Sequence, residues 1–302
     1  MIMKVIESSE ENVWKYIFND DEIVLESVLY KYGSFDKRTV ICCSVQSGCP
    51  VGCTFCGTGK NFLKNISSDQ IVEQITTIFK DKNIEDINSR CEKLQIMFMS
   101  MGEPFLNYEN VKEAIIKLNK LYPNADLLIS TIGIDNDEVF NDFIELSTEI
   151  NKVGLQFSIH KSNDDERNDL IPFKKKYTLR EIRDRGILWN KETGRKVYLN
   201  YCVDGTNNSI SDIDNLKNLF SPVVFNFTFS VICEADETMK DSACRNLDTI
   251  RDFEKSFLTD GYNTRIFDPA GQDDIGGGCG QLWFVQDYLK NKKQKVEVQN
   301  YE

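Results

Sequence analysis

Residues 49–56 read CPVGCTFC and place Cys49, Cys53 and Cys56 in a C-x3-C-x2-C spacing on one loop. Three thiolates on a short loop can bind three irons of a cubane cluster and leave the fourth iron open to another ligand. A zinc site would ordinarily have a fourth Cys or His at a short second spacing, and this loop is followed by none. Buried structural cysteines are the remaining alternative. The spacing therefore favours an iron–sulfur site.

Around this loop, apolar runs alternate with amphipathic segments. Strands are predicted at residues 39–44, 94–100, 125–130, 154–160, 196–203, 223–232 and 264–267. Helices are predicted between them, at residues 68–80, 110–121, 138–150, 179–190, 210–220 and 245–258. Strands that alternate with helices form parallel sheets, so the fold class is α/β. The favoured architecture is a partial (β/α)6-type, TIM-like barrel, with a doubly wound open sheet as the alternative, and either places its chemistry in the loops after the strands.

No linker or internal repeat divides the chain. We predict one catalytic barrel at residues 36–288, preceded by a short polar extension at residues 1–35 and followed by a basic polar tail at residues 289–302.

The composition limits the function further. The chain has 302 residues, a formal net charge of −12, ten cysteines and one histidine, His160. No apolar run has the length of a membrane helix or of a signal peptide, which predicts a cytoplasmic protein without a membrane partner. In a reducing compartment, clustered thiols indicate metal or redox chemistry. A single histidine nearly excludes His-based zinc sites and Ser-His or Cys-His catalysis.

Several short motifs occur in order along the chain. They are CCSVQSGC at 42–49, FCGTG at 55–59, MGEPFLN at 101–107, ST at 130–131, SIH at 158–160, IP with KKKY between 171 and 177, and CGQL at 279–282. Together they resemble the RlmN/Cfr-type adenine methyl synthases of the radical S-adenosylmethionine (SAM) superfamily, from about residue 24 to residue 283. The resemblance does not extend to that family's N-terminal accessory domain, which we expect this chain to lack.

The resemblance implies a [4Fe–4S] cluster bound by Cys49, Cys53 and Cys56, whose open iron chelates the amino and carboxylate groups of SAM. It implies one-electron reduction by a protein such as flavodoxin or ferredoxin, and cleavage of SAM to a 5′-deoxyadenosyl radical. The residues that it assigns to SAM are Gly102, Glu103, Ser130, Ser158, Ile159 and His160.

The resemblance also assigns three catalytic residues. Cys279 would carry a methyl group from one SAM to the substrate through a methylene radical and a covalent adduct. Cys42 would take the substrate proton and release the product by a transient disulfide bond with Cys279. Glu26 would handle a proton near the adenine. The alternatives are an incidental thiol in a glycine-rich loop for Cys279, a buried strand cysteine for Cys42 or its neighbour Cys43, and an exposed strand-edge charge for Glu26.

By resemblance, the reaction is methylation of an sp² carbon, adenine carbon 2 or 8, in ribosomal or transfer RNA. Residues 174–196 carry nine basic and three acidic side chains and are the candidate RNA contact. The first alternative is the same chemistry on a small heteroaromatic molecule, a nucleotide or a peptide, which the acidic net charge and the expected lack of the accessory domain favour. The second is a non-catalytic iron–sulfur redox protein.

Overall fold

A computed structural model describes residues 2–84, 86–231, 247–268, 274–278, 280–282, 284 and 287–291. Its main sheet has ten strands, whose order across the sheet follows their order along the chain. They are β1 (Ile2–Glu7), β2 (Val13–Asn19), β3 (Val24–Lys31), β4 (Thr39–Cys43), β7 (Leu94–Phe98), β8 (Asp126–Thr131), β9 (Val153–Ser158), β10 (Val197–Val203), β11 (Phe225–Val231) and β12 (Thr264–Phe267). A separate hairpin joins β5 (Gln46–Gly48) to β6 (Phe62–Asn65).

Seven of the ten strands, from β4 to β12, are parallel to one another. The predicted α/β class with a parallel sheet is therefore confirmed, and its parallel strands are the seven that the sequence predicts. Within the described residues β1 and β12 are the two edges of the sheet and do not pair, so the sheet is not a closed barrel.

The first strands add a region that the sequence analysis did not predict. Residues 1–35, interpreted as a polar extension, contain β1, β2 and β3, which pair antiparallel with one another and with β4. Both faces of β2 and β3 are buried. Strands buried on two faces show no clean alternation of apolar and polar residues, which is why the pattern gave no strand signal.

Helices connect the parallel strands and pack on one face of the sheet. They are α1 (Ser68–Asp81), α2 (Ile87–Arg90), α3 (Tyr108–Leu121), α4 (Asp137–Glu149), α5 (Asp164–Leu170), α6 (Leu179–Thr193), α7 (Ile210–Leu219) and α8 (Leu247–Leu258). Capping boxes begin α1 at Ser67, α6 at Thr178 and α7 at Ser209, where each hydroxyl accepts a hydrogen bond from a backbone N–H in the first turn. No helix in the described part of the chain is both long and apolar enough to cross a bilayer.

The two faces of the sheet differ in what they bury. The side chains that face the helices form the larger apolar core, to which Ile41, Cys43, Ile96 and Phe98 belong. The opposite face has a smaller apolar cluster that includes Val28, Val40 and Cys42. Because successive side chains of a strand point to opposite faces, Cys42 and Cys43 are separated by the sheet.

Candidate active site

A cavity of about 150 Å³ lies at the carboxyl ends of the parallel strands. It brings together most of the residues that the sequence singled out. Those that line it are Cys42, Cys49, Cys53, Cys56, Gly102, Glu103, Ser130, Ser158 and His160. Residues more than a hundred positions apart meet in this cavity because the carboxyl ends of the parallel strands lie at one edge of the sheet.

The cysteine loop is held against the β5–β6 hairpin. The N–H of Cys49 donates to the carbonyl of Asn61 at 2.8 Å. Gly48 has φ +76°, and a Cβ at this position would lie 2.2 Å from the same carbonyl oxygen, so only glycine allows the close approach. Burial raises the pKa of the Cys49 thiol to about 12. A bound metal would therefore be needed to keep this sulfur as a thiolate at neutral pH.

The buried carboxylate of Glu103 holds the segment after β7 in place. Glu103 accepts hydrogen bonds from the Thr131 hydroxyl at 2.6 Å and from the Ile132 N–H at 2.9 Å. Burial raises the pKa of Glu103 to about 7, although these hydrogen bonds lower it. Gly102 has φ +96°, and its missing Cβ makes room for the side chain of Gln46, whose Oε1 accepts from the Glu103 N–H at 2.8 Å. The Glu103 side chain therefore fixes the loop beside the cavity.

The ends of β8 and β9 contribute hydroxyl groups and the single histidine. The Oγ atoms of Ser130 and Ser158 are 3.3 Å apart. His160 Nδ1 accepts the backbone N–H of Cys202 at 3.2 Å, and burial lowers the pKa of His160 to about 3. The imidazole is therefore neutral and presents its other nitrogen as a donor. Ile159 differs from these three, because its side chain is fully buried in the apolar core and does not line the cavity.

The strand register distinguishes Cys42 from Cys43. Cys42 pairs with Val28 of β3 and lines the cavity. Cys43 lies in the core on the helix side, where its Sγ is 3.6 Å from the carbonyl of Met97. Burial raises the pKa of Cys43 far above its usual range, which leaves it a neutral thiol. Of the two, only Cys42 faces the cavity.

Glu26 is fully buried, which excludes the alternative of an exposed strand-edge charge, but it does not line the cavity. The Lys15 Nζ lies 3.3 Å from its Oε2, and the Phe284 N–H donates to its Oε1 at 2.9 Å. Burial raises the pKa of Glu26, and the charge of Lys15 opposes this shift.

Cys279 lies outside the described residues, and so does any disulfide bond between it and Cys42. Its chain neighbours Gly278 and Gly280 both line the cavity. The described cysteines form no disulfide bond with one another. Two hydrogen bonds hold the glycine-rich stretch around Cys279 at the site. The Tyr30 hydroxyl donates to the carbonyl of Gly277 at 2.5 Å, and the Gly57 N–H donates to the carbonyl of Gly280 at 2.8 Å.

Two residues of the site were missed at the sequence level. Gln46 lies within the CCSVQSGC motif, but its contact with Gly102 depends on folding of the hairpin. Tyr30 lies two positions from Val28 and four from Glu26 on β3, so the period-two pattern would have placed it on the same face had the strand been recognised.

The basic segment 174–196 begins beside the cysteine loop. The Thr54 N–H donates to the carbonyl of Leu170 at 3.0 Å, and Gly52 packs near Pro172. Lys174 and Lys175, which follow directly, are exposed. Positive charge is therefore available next to the cavity.

Comparisons with known proteins identify the family. Residues 43–219 match the model of the radical SAM superfamily. The chain is 31% identical over 283 residues to the "Probable dual-specificity RNA methyltransferase RlmN" of Thermotoga petrophila, covering 92% of this chain and 76% of that protein. It is 30% identical over 304 residues to the protein of the same name from Dictyoglomus turgidum, covering 98% and 82%. A radical SAM methyltransferase from Sphaerobacter thermophilus superposes with a TM-score of 0.78 at 25% identity, covering 92% and 80%.

Proposed function

Since this chain belongs to the radical SAM superfamily, and within it to the RlmN family of methyltransferases, we propose that it is an RNA methyltransferase. Its substrate is an adenine of ribosomal or transfer RNA, methylated at carbon 2 or 8. The observation that carries the proposal is the single cavity lined by the three loop cysteines, by Cys42 and by the glycines on either side of Cys279.

The donor set of the cavity fits an iron–sulfur cluster. Cys49, Cys53 and Cys56 line it together, and no group of three His, Cys, Asp or Glu side chains in the described residues converges as the ligands of one metal ion would. Three thiolates that each bind a different iron of a cube need no such convergence. When bound, the [4Fe–4S] cluster would supply the electron for reductive cleavage of SAM, and a flavodoxin or ferredoxin would reduce it.

The remaining residues of the cavity fit a SAM site. Hydrogen-bonding groups surround one cavity: the backbone beside Gly102 and Glu103, the hydroxyls of Ser130 and Ser158, and the neutral imidazole of His160. Ile159 would act through its backbone, since its side chain lies in the core.

Two thiols would complete the reaction. Cys42 faces the cavity and would accept the proton lost from the substrate carbon. Cys279 would carry the methyl group, and a transient disulfide bond between the two sulfurs would release the product. Glu26 would act on this chemistry through the segment it binds at Phe284, because its carboxylate does not line the cavity.

The test is to trap the substrate. Anaerobic protein should contain about four irons per chain, and mass spectrometry should find about 14 Da, one methylene, added to Cys279. Cys42→Ala should then accumulate an RNA adduct covalently bound to Cys279. Cys43→Ala is the matched control, because this sulfur is on the other face of the sheet, and it should release product normally.

Three results would contradict the proposal. They are turnover by Cys279→Ala, a Cys42→Ala protein that retains its cluster yet traps nothing, and an adduct without a nucleotide. The last would favour a small heteroaromatic molecule or a peptide, and a free nucleotide in the adduct would replace RNA by that smaller substrate.

A further inference from the structure

A second cavity, of about 190 Å³, adjoins the active-site cavity. Tyr30, Cys42, Met99, Asn200 and Phe267 line both spaces. A ligand that places one atom beside Cys42 can therefore extend from the first cavity into the second.

Arg38 forms one wall of the second cavity. Its Nε and Nη2 atoms donate to Gln95 Oε1 at 3.2 and 3.0 Å, and its guanidinium lies 4.5 Å from the centre of the Tyr32 ring. Both partners are neutral. They orient the guanidinium without neutralising its charge.

Arg265 forms a second part of the wall in the same manner. Its Nε donates to Thr228 Oγ1 at 2.8 Å, its Nη2 donates to Gln156 Oε1 at 3.4 Å, and its guanidinium lies 5.1 Å from the Tyr198 ring centre. A guanidinium has five N–H donors, so Arg38 and Arg265 each keep donors beyond these contacts.

The two arginines place like charges on one cavity. Burial lowers the pKa of Arg265, and the charge of Arg38 lowers it further. No carboxylate is among the groups that shift the pKa of Arg265, although Asp268 also lines the cavity. Two like charges on one cavity repel each other, and an anion bound between them would offset this repulsion. Forked N–H donors match the oxygens of a phosphate.

We propose that Arg38 and Arg265 bind the phosphate of the nucleotide whose base is presented to Cys42. This rests on the proposed function, because the base is the group that the reaction methylates. The second cavity thereby recognises a nucleotide by its backbone while the first holds the reacting base. The exposed basic side chains of segment 174–196, such as Lys174 and Lys175, would contact more distant phosphates outside the cavity.

Equilibrium dialysis of the full, cluster-loaded chain with adenosine and with adenosine 5′-monophosphate (AMP) tests the site. We expect AMP to bind at least about tenfold more tightly than adenosine, since charge-assisted hydrogen bonds are the strong ones. Arg38→Gln and Arg265→Gln should each remove about tenfold of the AMP affinity and leave the adenosine affinity within about twofold. Arg265→Lys keeps the charge and should retain part of the preference. Arg251→Gln, at an exposed arginine of α8 that pairs with Asp248, is the control and should change neither affinity.

Three results would overturn the phosphate site. They are equal affinities for AMP and adenosine, no measurable AMP binding, and an equal loss of affinity for both ligands in the glutamine variants. Failure of the proposed function has another signature, the absence of any RNA adduct in Cys42→Ala, and it would leave an arginine-dependent preference for AMP intact. Absence of that preference in the parent protein, with a normal RNA adduct in Cys42→Ala, would overturn the phosphate site alone.

Discussion

The buried pair of Lys15 and Glu26 gives the sharpest test of the structure. The two charged atoms are 3.3 Å apart, and the side chains are 1% and 0% exposed. Coulomb's law with an effective dielectric constant of about 20 gives an attraction of about 5 kcal/mol at this distance. Removing one partner leaves the other charge buried and uncompensated, so Lys15→Met should lower the free energy of unfolding by about 3–5 kcal/mol.

Replacing both charges should be far less harmful than this figure suggests. The double variant Lys15→Met/Glu26→Leu removes the desolvation cost of both ions together with their attraction, so its stability should lie within about 2 kcal/mol of the parent. Guanidinium denaturation of anaerobic protein, followed by tryptophan fluorescence, measures the full cycle. Lys152→Met is the matched control, because its pair with Asp126 is more than one-third exposed and should contribute about 1 kcal/mol or less. Additive losses in the double variant would refute the coupling.

Two further predictions address the site. Burial lowers the pKa of His160 to about 3, so the stability that its neutral form contributes is complete above pH 6.5 and is lost as the pH falls toward 3, by at most about 1.4 kcal/mol per pH unit. His160→Gln should therefore flatten the profile of unfolding free energy against pH between pH 6.5 and 4. A profile parallel to that of the parent would contradict this. Gly48→Ala should lower the iron content after anaerobic reconstitution, because the added Cβ would collide with the Asn61 carbonyl. Gly194→Ala, also at positive φ but with open space around it, is the control and should retain its iron. Equal iron contents in the two variants would show that the close approach at Gly48 is not needed.

The parallel part of the fold was readable from the sequence because its signals are local. All seven parallel strands and the six long helices between them lie where the alternation of apolar and amphipathic segments predicts them. The strands β2 and β3 gave no such signal, since burial on both faces removes the alternation that identifies a strand.

The sequence could predict only those residues of the site that lie within recognisable motifs. The cysteine spacing and the strand-end residues converge as expected, because strand ends of a parallel sheet share one edge. The partners that position them do not follow from spacing. The contact of Gln46 with Gly102 depends on the β5–β6 hairpin, and the placement of Arg265 beside Arg38 requires the sheet to bring β12 opposite β4.

Three hydrogen bonds join the N-terminal strands and their first turn to the glycine-rich segment and its neighbours. The Ser9 N–H donates to the Asp274 carboxylate at 2.7 Å, the Tyr30 hydroxyl binds the carbonyl of Gly277, and Glu26 accepts the N–H of Phe284. All three contacts join residues more than 240 positions apart, and the acceptor or donor on the N-terminal side lies in β3 or in the turn between β1 and β2. Glu26 therefore links Lys15 to the segment around Cys279, because it pairs with Lys15 and accepts the Phe284 N–H. A change in this pair should alter the reaction by displacing that segment, even though neither side chain lines the cavity, and for this reason the Lys15–Glu26 cycle should be repeated with RNA methylation as its readout.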